Sequence, residues 1–225
     1  MSPVVDLEDL VRRAWQLVPT DGRAMLGITG SPGAGKTTLA AALAERVQAL
    51  HGEGEEGGAV AVHVPMDGFH LANATLDRLG LRDRKGAVET FDGWGFVALL
   101  RRLAAETDHT VYAPGFDRAV EEGVTGVHAV PASARLVVVE GNYLLVDREP
   151  WSQVRDLLAE AWFVEASPQE RTARLVVRHE AGGRSPEAAR AWADTVDGSN
   201  AVLIDATRER ADLVVSGVAL RTAGP

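Results

Sequence analysis

Gly30-Ser31-Pro32-Gly33-Ala34-Gly35-Lys36-Thr37 constrains this chain more than any other stretch. A short apolar run, residues 24–29, precedes it, and an Ala/Leu-rich run, residues 36–50, follows. The predicted order is therefore buried strand, glycine-rich turn, helix. Glycines let successive backbone N–H groups converge on an anion with no side chain in the way. The helix that follows adds its positive N-terminal dipole. The spacing fits G-x-x-x-x-G-K-[ST] in full, so Gly30, Ser31, Gly33, Ala34, Gly35, Lys36, Thr37 and Thr38 are assigned to the phosphates of a nucleotide. Lys36 places a point charge on the β- and γ-phosphates, and the Thr37 hydroxyl suits Mg2+.

The remaining pattern alternates strands with helices. Ser2-Pro3 looks like an N-cap with Pro at the first helical position, opening an amphipathic helix that carries Val4, Leu7, Leu10, Val11, Ala14, Leu17 and Val18. Residues 52–58, all glycine or glutamate, form a surface loop. Strands are predicted at 59–64, 110–112, 124–130, 136–139, 161–164 and 213–215. Helices are predicted at 71–79, 94–105, from Pro150-Trp151, from the Ser167-Pro168-Gln169-Glu170 capping box to about 180, from Ser185-Pro186, and at 200–206. Strands alternating with helices imply an α/β fold in three layers, a mostly parallel sheet covered on both faces. With 225 residues and neither a repeat nor a linker, one domain spanning 1–225 is expected.

Composition narrows the partners. A net charge of −9 argues against nucleic acid or an anionic membrane as the main partner. The absence of cysteine excludes disulfides, thiolate metal sites and cysteine nucleophiles. No apolar run approaches the roughly 20 residues that span a bilayer. The expectation is a cytoplasmic protein acting on a small molecule, with a homodimer as the base-rate guess for assembly.

Ligands of open α/β sheets sit beyond the carboxyl ends of the strands. Two acids are predicted there, Asp67 after the second strand and Glu140 after the 136–139 strand. Glu140 is assigned to the metal side and Asp67 to accepting or orienting the proton of an attacking hydroxyl. Arg171, Arg174 and Arg178 share one helix face by spacing, and Arg184 follows the Gly182-Gly183 break. In an acidic chain such a cluster suggests arginines closing over a triphosphate.

Together with Pro65-Met66-Asp67-Gly68-Phe69-His70, Thr90-Phe91-Asp92, Tyr112-Ala113-Pro114-Gly115-Phe116-Asp117-Arg118 and Val139-Glu140-Gly141-Asn142-Tyr143, these motifs resemble the uridine kinase, phosphoribulokinase and pantothenate kinase superfamily of P-loop kinases. The nearest likeness is to a bacterial branch of nucleoside/nucleotide or fructose-transport-associated kinases. The resemblance implies the P-loop NTPase fold, ATP and Mg2+, and Asp67 as catalytic base working with Lys36 and Arg178. It implies acceptor contacts near Phe69, His70, Asp92, Tyr112 and Arg118, and an arginine-bearing lid at about 171–185 that brings Arg174, Arg178 and Arg184 to the nucleotide. It also implies Asn200 near the adenine. The chain departs from uridine kinases at Phe91-Asp92-Gly93-Trp94, where they carry a Phe-Asp-His-Pro-type motif.

The expected function is transfer of the γ-phosphoryl group of ATP to a metabolite hydroxyl. A nucleoside acceptor would use Phe69 or Tyr112 for stacking and Asp92 for ribose hydroxyls; fructose and pantothenate are the alternatives. From the residues alone, Phe69 and Tyr112 also suit the core, and Asp92 also suits a helix N-cap. A nucleotide-binding switch is the competing class, but the guanine-reading Asn-Lys-x-Asp is missing.

Overall fold

The computed structural model describes residues 6–52 and 58–216. The predicted Ser2-Pro3 cap and most of the glycine–glutamate loop lie outside them. The first helix, α1 (Leu7–Gln16), starts after Asp6 and buries Leu10, Val11 and Ala14.

Five parallel strands make the central sheet: β1 (Ala24–Thr29), β2 (Ala61–Pro65), β5 (Leu136–Glu140), β6 (Glu160–Glu165) and β7 (Leu213–Ser216), in the order β2-β5-β1-β6-β7. Every residue of β1 and β5 is buried, as a sheet covered on both faces requires. Side chains alternate between two cores. Leu136, Val138, Leu26, Ile28, Trp162 and Val164 pack with α1 and α2 (Lys36–His51) on one face. Met25, Val137, Val139, Ala161 and Phe163 pack on the other, with α4 (Gly93–Ala105) and the aromatic residues Phe91, Tyr143 and Trp151. Helix, sheet and helix are the three layers.

The strands predicted at 110–112 and 124–130 do not join this sheet. They form a separate antiparallel hairpin of β3 (Val111–Asp117) and β4 (Glu122–Val130). Only residues 118–121 connect them, too few for the crossover that parallel pairing needs. The hairpin packs on the turn after β2. A Cβ at Gly68 would lie 2.3 Å from the Pro114 carbonyl oxygen, and one at Gly123 would lie 2.4 Å from that of Gly68. The helix expected at Pro150-Trp151 is instead two short 3-10 turns, Trp151–Gln153 and Arg155–Leu157, with Trp151 anchored in the core. The helix expected at 71–79 is α3 (Asn73–Leu79).

Beyond β6 come α5 (Pro168–Ala181), α6 (Pro186–Trp192), a π-helical turn (Ala193–Asp197) and α7 (Gly198–Asp205). Both sides of the predicted capping box are made at Ser167 and Glu170. None of the helices among the described residues is long and apolar enough to cross a membrane.

Candidate active site

The glycine-rich loop leaves the carboxyl end of β1, the middle strand, and turns into α2. Its geometry demands glycine at two positions. Gly30 has φ +139°, and a Cβ there would meet the Val164 carbonyl oxygen at 2.3 Å; Gly33 has φ +77°, and a Cβ there would meet that of Arg171 at 2.8 Å. Gly30, Ser31 and Ala34 shape the loop without lining the cleft. Ser31 sends its hydroxyl to Asp205 Oδ1 at 2.5 Å, and Ala34 is fully buried in the core. Gly33, Gly35, Lys36, Thr37 and Thr38 line the cleft, whose volume is about 490 Å³.

Lys36 is 7% exposed, and its ammonium donates to the Ser31 carbonyl at 3.2 Å. Burial pulls its pKa below the ordinary lysine value, while Glu140 and Asp67 oppose that shift. A buried lysine facing its own loop's carbonyl is poised for an anion, which would restore the solvation it lacks.

Glu140 ends β5, next to β1, and accepts a hydrogen bond from the Thr37 hydroxyl at 3.2 Å. His63 Nε2, buried and without a hydrogen-bond partner among the described residues, lies 3.9 Å from the same carboxylate oxygen. Two hard oxygen donors beside an unsatisfied polar atom fit a hydrated Mg2+. Among the described residues no group of three or more His, Asp or Glu gathers to hold a metal alone. Thr37 and Glu140 would therefore hold the ion together with phosphate oxygens.

Asp67 lies on the 3-10 turn Met66–Phe69, directly after β2 on the other side of β5. His70 follows, its Nδ1 2.8 Å from the Asp67 carbonyl oxygen. A carbonyl only accepts, so Nδ1 carries the proton and Nε2 is the acceptor in the neutral ring. Burial pushes the His70 pKa below its ordinary value, against the pull of Asp67. The imidazole lies 3.9 Å from the Phe91 ring and 4.8 Å from that of Phe116. These three rings and Arg118 form the cleft wall beyond Asp67.

Three acceptor-side assignments fall outside the cleft. Phe69 packs edge-on against Phe96 at 5.3 Å, on the core side. Asp92 caps α4 by accepting from the Gly95 N–H at 2.8 Å. Tyr112 is 60% exposed, because Val111 and Ala113 take the buried face of β3 and the pleat turns Tyr112 outward. Phe91 and Phe116, each next to one of the quoted motif acids, occupy the wall instead.

The arginine helix divides its side chains. Arg174 reaches the carbonyls of Gly33 and Ala34 at 3.0 and 3.3 Å. Arg178 lines the cleft and stands 4.0 Å from Asp197. Arg171, expected on the same face, turns instead to Asp205 on α7 at 3.6 Å. Arg184 lines the cleft and stacks its guanidinium 3.9 Å over Trp192. His179, which sequence reasoning left unassigned, is 2.7 Å from Asp197. Asn200 also lines the cleft, donating to the Gly86 carbonyl at 3.1 Å.

A phosphate loop, a lysine buried beneath it, carboxylates at two adjoining strand ends and arginines opposite define a nucleotide-dependent phosphotransferase. The Phosphoribulokinase / Uridine kinase family model matches residues 25–222, and the chain belongs to that family of ATP-dependent kinases. The protein "Putative uridine kinase C227.14" of Schizosaccharomyces pombe is 32% identical to it, over 97% of this chain and 94% of its own. A chain from Silicibacter sp. TM1040 described as a "putative fructose transport system kinase" superposes with a TM-score of 0.83 at 36% identity, covering 93% of this chain and 98% of that one. YFH7 from Saccharomyces cerevisiae shares the fold, with a TM-score of 0.78 at 20% identity over 94% of this chain and 98% of its own.

Proposed function

We propose that the chain transfers the γ-phosphoryl group of ATP to a hydroxyl of a small metabolite seated between Asp67 and the His70, Phe91 and Phe116 rings. One observation carries the reading. Asp67 lines the same cleft as Lys36 and the His70, Phe91 and Phe116 rings, and its carboxylate pulls on the buried Lys36 and His70 alike. It stands where the nucleotide end of the cleft meets the end walled by rings, which is where a base for the attacking hydroxyl is needed.

In this reading Asp67 accepts the hydroxyl proton as the acceptor oxygen bonds to the γ-phosphorus and the bond to the departing ADP oxygen breaks. Lys36, Arg174 and Arg178 hold the phosphates in place, with Arg178 and Arg184 closing as a lid. When bound, Mg2+ neutralises charge on the phosphate oxygens. The walled space beyond Asp67 supports a kinase over a switch, which has no use for an acceptor pocket. The residues that favoured a nucleoside, namely Phe69, Tyr112 and Asp92, lie elsewhere. What remains supports a hydroxylated metabolite with a flat or apolar part.

The test is ADP release by purified protein with and without candidate hydroxyl acceptors. The reading expects turnover that depends on an acceptor. ATP hydrolysis at one rate regardless of acceptor would contradict it and favour an NTPase.

A further inference from the structure

Four cations line the nucleotide end of the cleft, Lys36, Arg174, Arg178 and Arg184, and a triphosphate accounts for them. Two more, Lys85 and Arg118, line the other end, and the phosphates leave them unexplained. The hydrogen bonds of Lys85 go to neutral oxygens. Its ammonium donates to Asn73 Oδ1 at 2.6 Å and to the Glu121 carbonyl, and lies 5.2 Å from the centre of the Phe116 ring. No carboxylate among the described residues forms an ion pair with it. The neighbouring arginines are different, since Arg82 and Arg84 pair with Asp77 and Glu89. Arg118, exposed on the hairpin loop, also forms no ion pair among the described residues. Besides Asp67, the carboxylates near this end are Glu121, exposed on the loop, and Glu122, which accepts from the Asn73 N–H at 2.9 Å; both pull on Lys85 without pairing with it.

An ammonium two of whose three donors go to neutral oxygens, set against the Phe116 ring and in no ion pair, keeps a donor for an anion. The aromatic wall on one side of this partly buried ammonium strengthens its pull on an anion. Resting on the kinase reading above, the geometry points to an acceptor that is itself anionic: a hydroxy compound whose carboxylate or phosphate meets Lys85, with Arg118 closing from the hairpin loop. Lys85 is then the residue that selects charged over uncharged acceptors, while Asp67 receives the hydroxyl. Asn73 and the Glu121 carbonyl position Lys85 by fixing its ammonium.

Pairs in which one member carries an anionic group that the other lacks test this: pantothenate against pantothenol, orotidine against uridine, and fructose 6-phosphate against fructose. The anionic member of at least one pair should be used with a kcat/KM at least about tenfold higher. The pair that shows the preference separates a carboxylate from a phosphate. Lys85→Met should reduce that preference about tenfold, and Lys85→Arg should restore most of it. Arg118→Gln, at an exposed position where folding is safe, should reduce it in the same direction. Equal use of both members of every pair, or a preference untouched by Lys85→Met and Arg118→Gln, overturns the inference. If no compound is phosphorylated, the transfer reading fails separately. Calorimetric binding of the same pairs to the ADP-loaded protein then decides the charge question, and equal affinity within every pair overturns it.

Discussion

Lys36 carries a positive charge into a place where burial works against it, beneath the loop it serves. The apo protein therefore keeps its phosphate lysine at a cost that bound phosphate removes. Lys36→Ala should lower ATP-dependent transfer by about 10²- to 10³-fold, as loss of a preorganised charge does elsewhere, with little change in melting temperature; steady-state ADP release and thermal melts check both. His70 makes a second prediction. Its folded pKa lies below the ordinary value of 6.5, so the unfolded chain binds the proton more readily. The stability it contributes is present above about pH 6.5 and is lost as pH falls through the depressed folded value. Wild-type protein should thus lose more melting temperature between about pH 7.5 and 5.5 than His70→Gln does. At this scale Lys36, Thr37, Asp67 and Glu140 were legible because motif and strand ends place them. Lys85 was not, since it lies in an irregular charged stretch where neither periodicity nor motif marks a side chain. Tyr112 could have been excluded from the alternation alone: apolar Val111 and Ala113 claim the inner face of the strand.

Among elements, the hairpin β3–β4 brings Phe116 and, on its connection, Arg118 to the ring-walled end of the cleft. It presses on the turn that carries Asp67, where Gly68 leaves no room for a Cβ. Gly68→Ala would force its Cβ onto the Pro114 carbonyl and the Gly115 nitrogen, both of them backbone atoms. The turn and the hairpin must then part, at a cost of about 1–3 kcal/mol. Acceptor KM should rise more than ATP KM in this variant, measurable in one set of initial-rate assays; an equal rise in both would mean that the hairpin only supports the fold. Helix α5 makes a related case. Arg178→Ala should slow transfer by about tenfold or more while leaving the exposed capping box at Ser167 intact, as single-turnover rates and circular dichroism would report. The hairpin was hidden from sequence reasoning because two consecutive strands look alike whether they enter the main sheet or leave it. The strands run further than predicted, so that only 118–121 connect them, whereas the predicted bounds left residues 113–123 between.

At the scale of the whole molecule, the sheet order explains why these residues meet. The β1 loop lies at the centre, Glu140 ends the strand on one side of it, and Asp67 follows the next strand out. Parallel strands bring their carboxyl ends to one edge, so residues more than a hundred positions apart, such as Thr37 and Glu140, come within hydrogen-bond distance. This much of the site followed from the strand–loop–helix pattern. Which rings and cations fill the acceptor end depended on packing of the hairpin against the turn, a contact between segments some fifty residues apart that local pattern does not encode. The central claim is that Asp67 joins the two ends of the cleft, and Asp67→Asn tests it most directly, because the amide keeps the shape and removes the base. Measured side by side, ATP affinity should stay within about threefold of wild type while single-turnover transfer falls by about 10²-fold or more. Transfer at a near-normal rate would contradict the account.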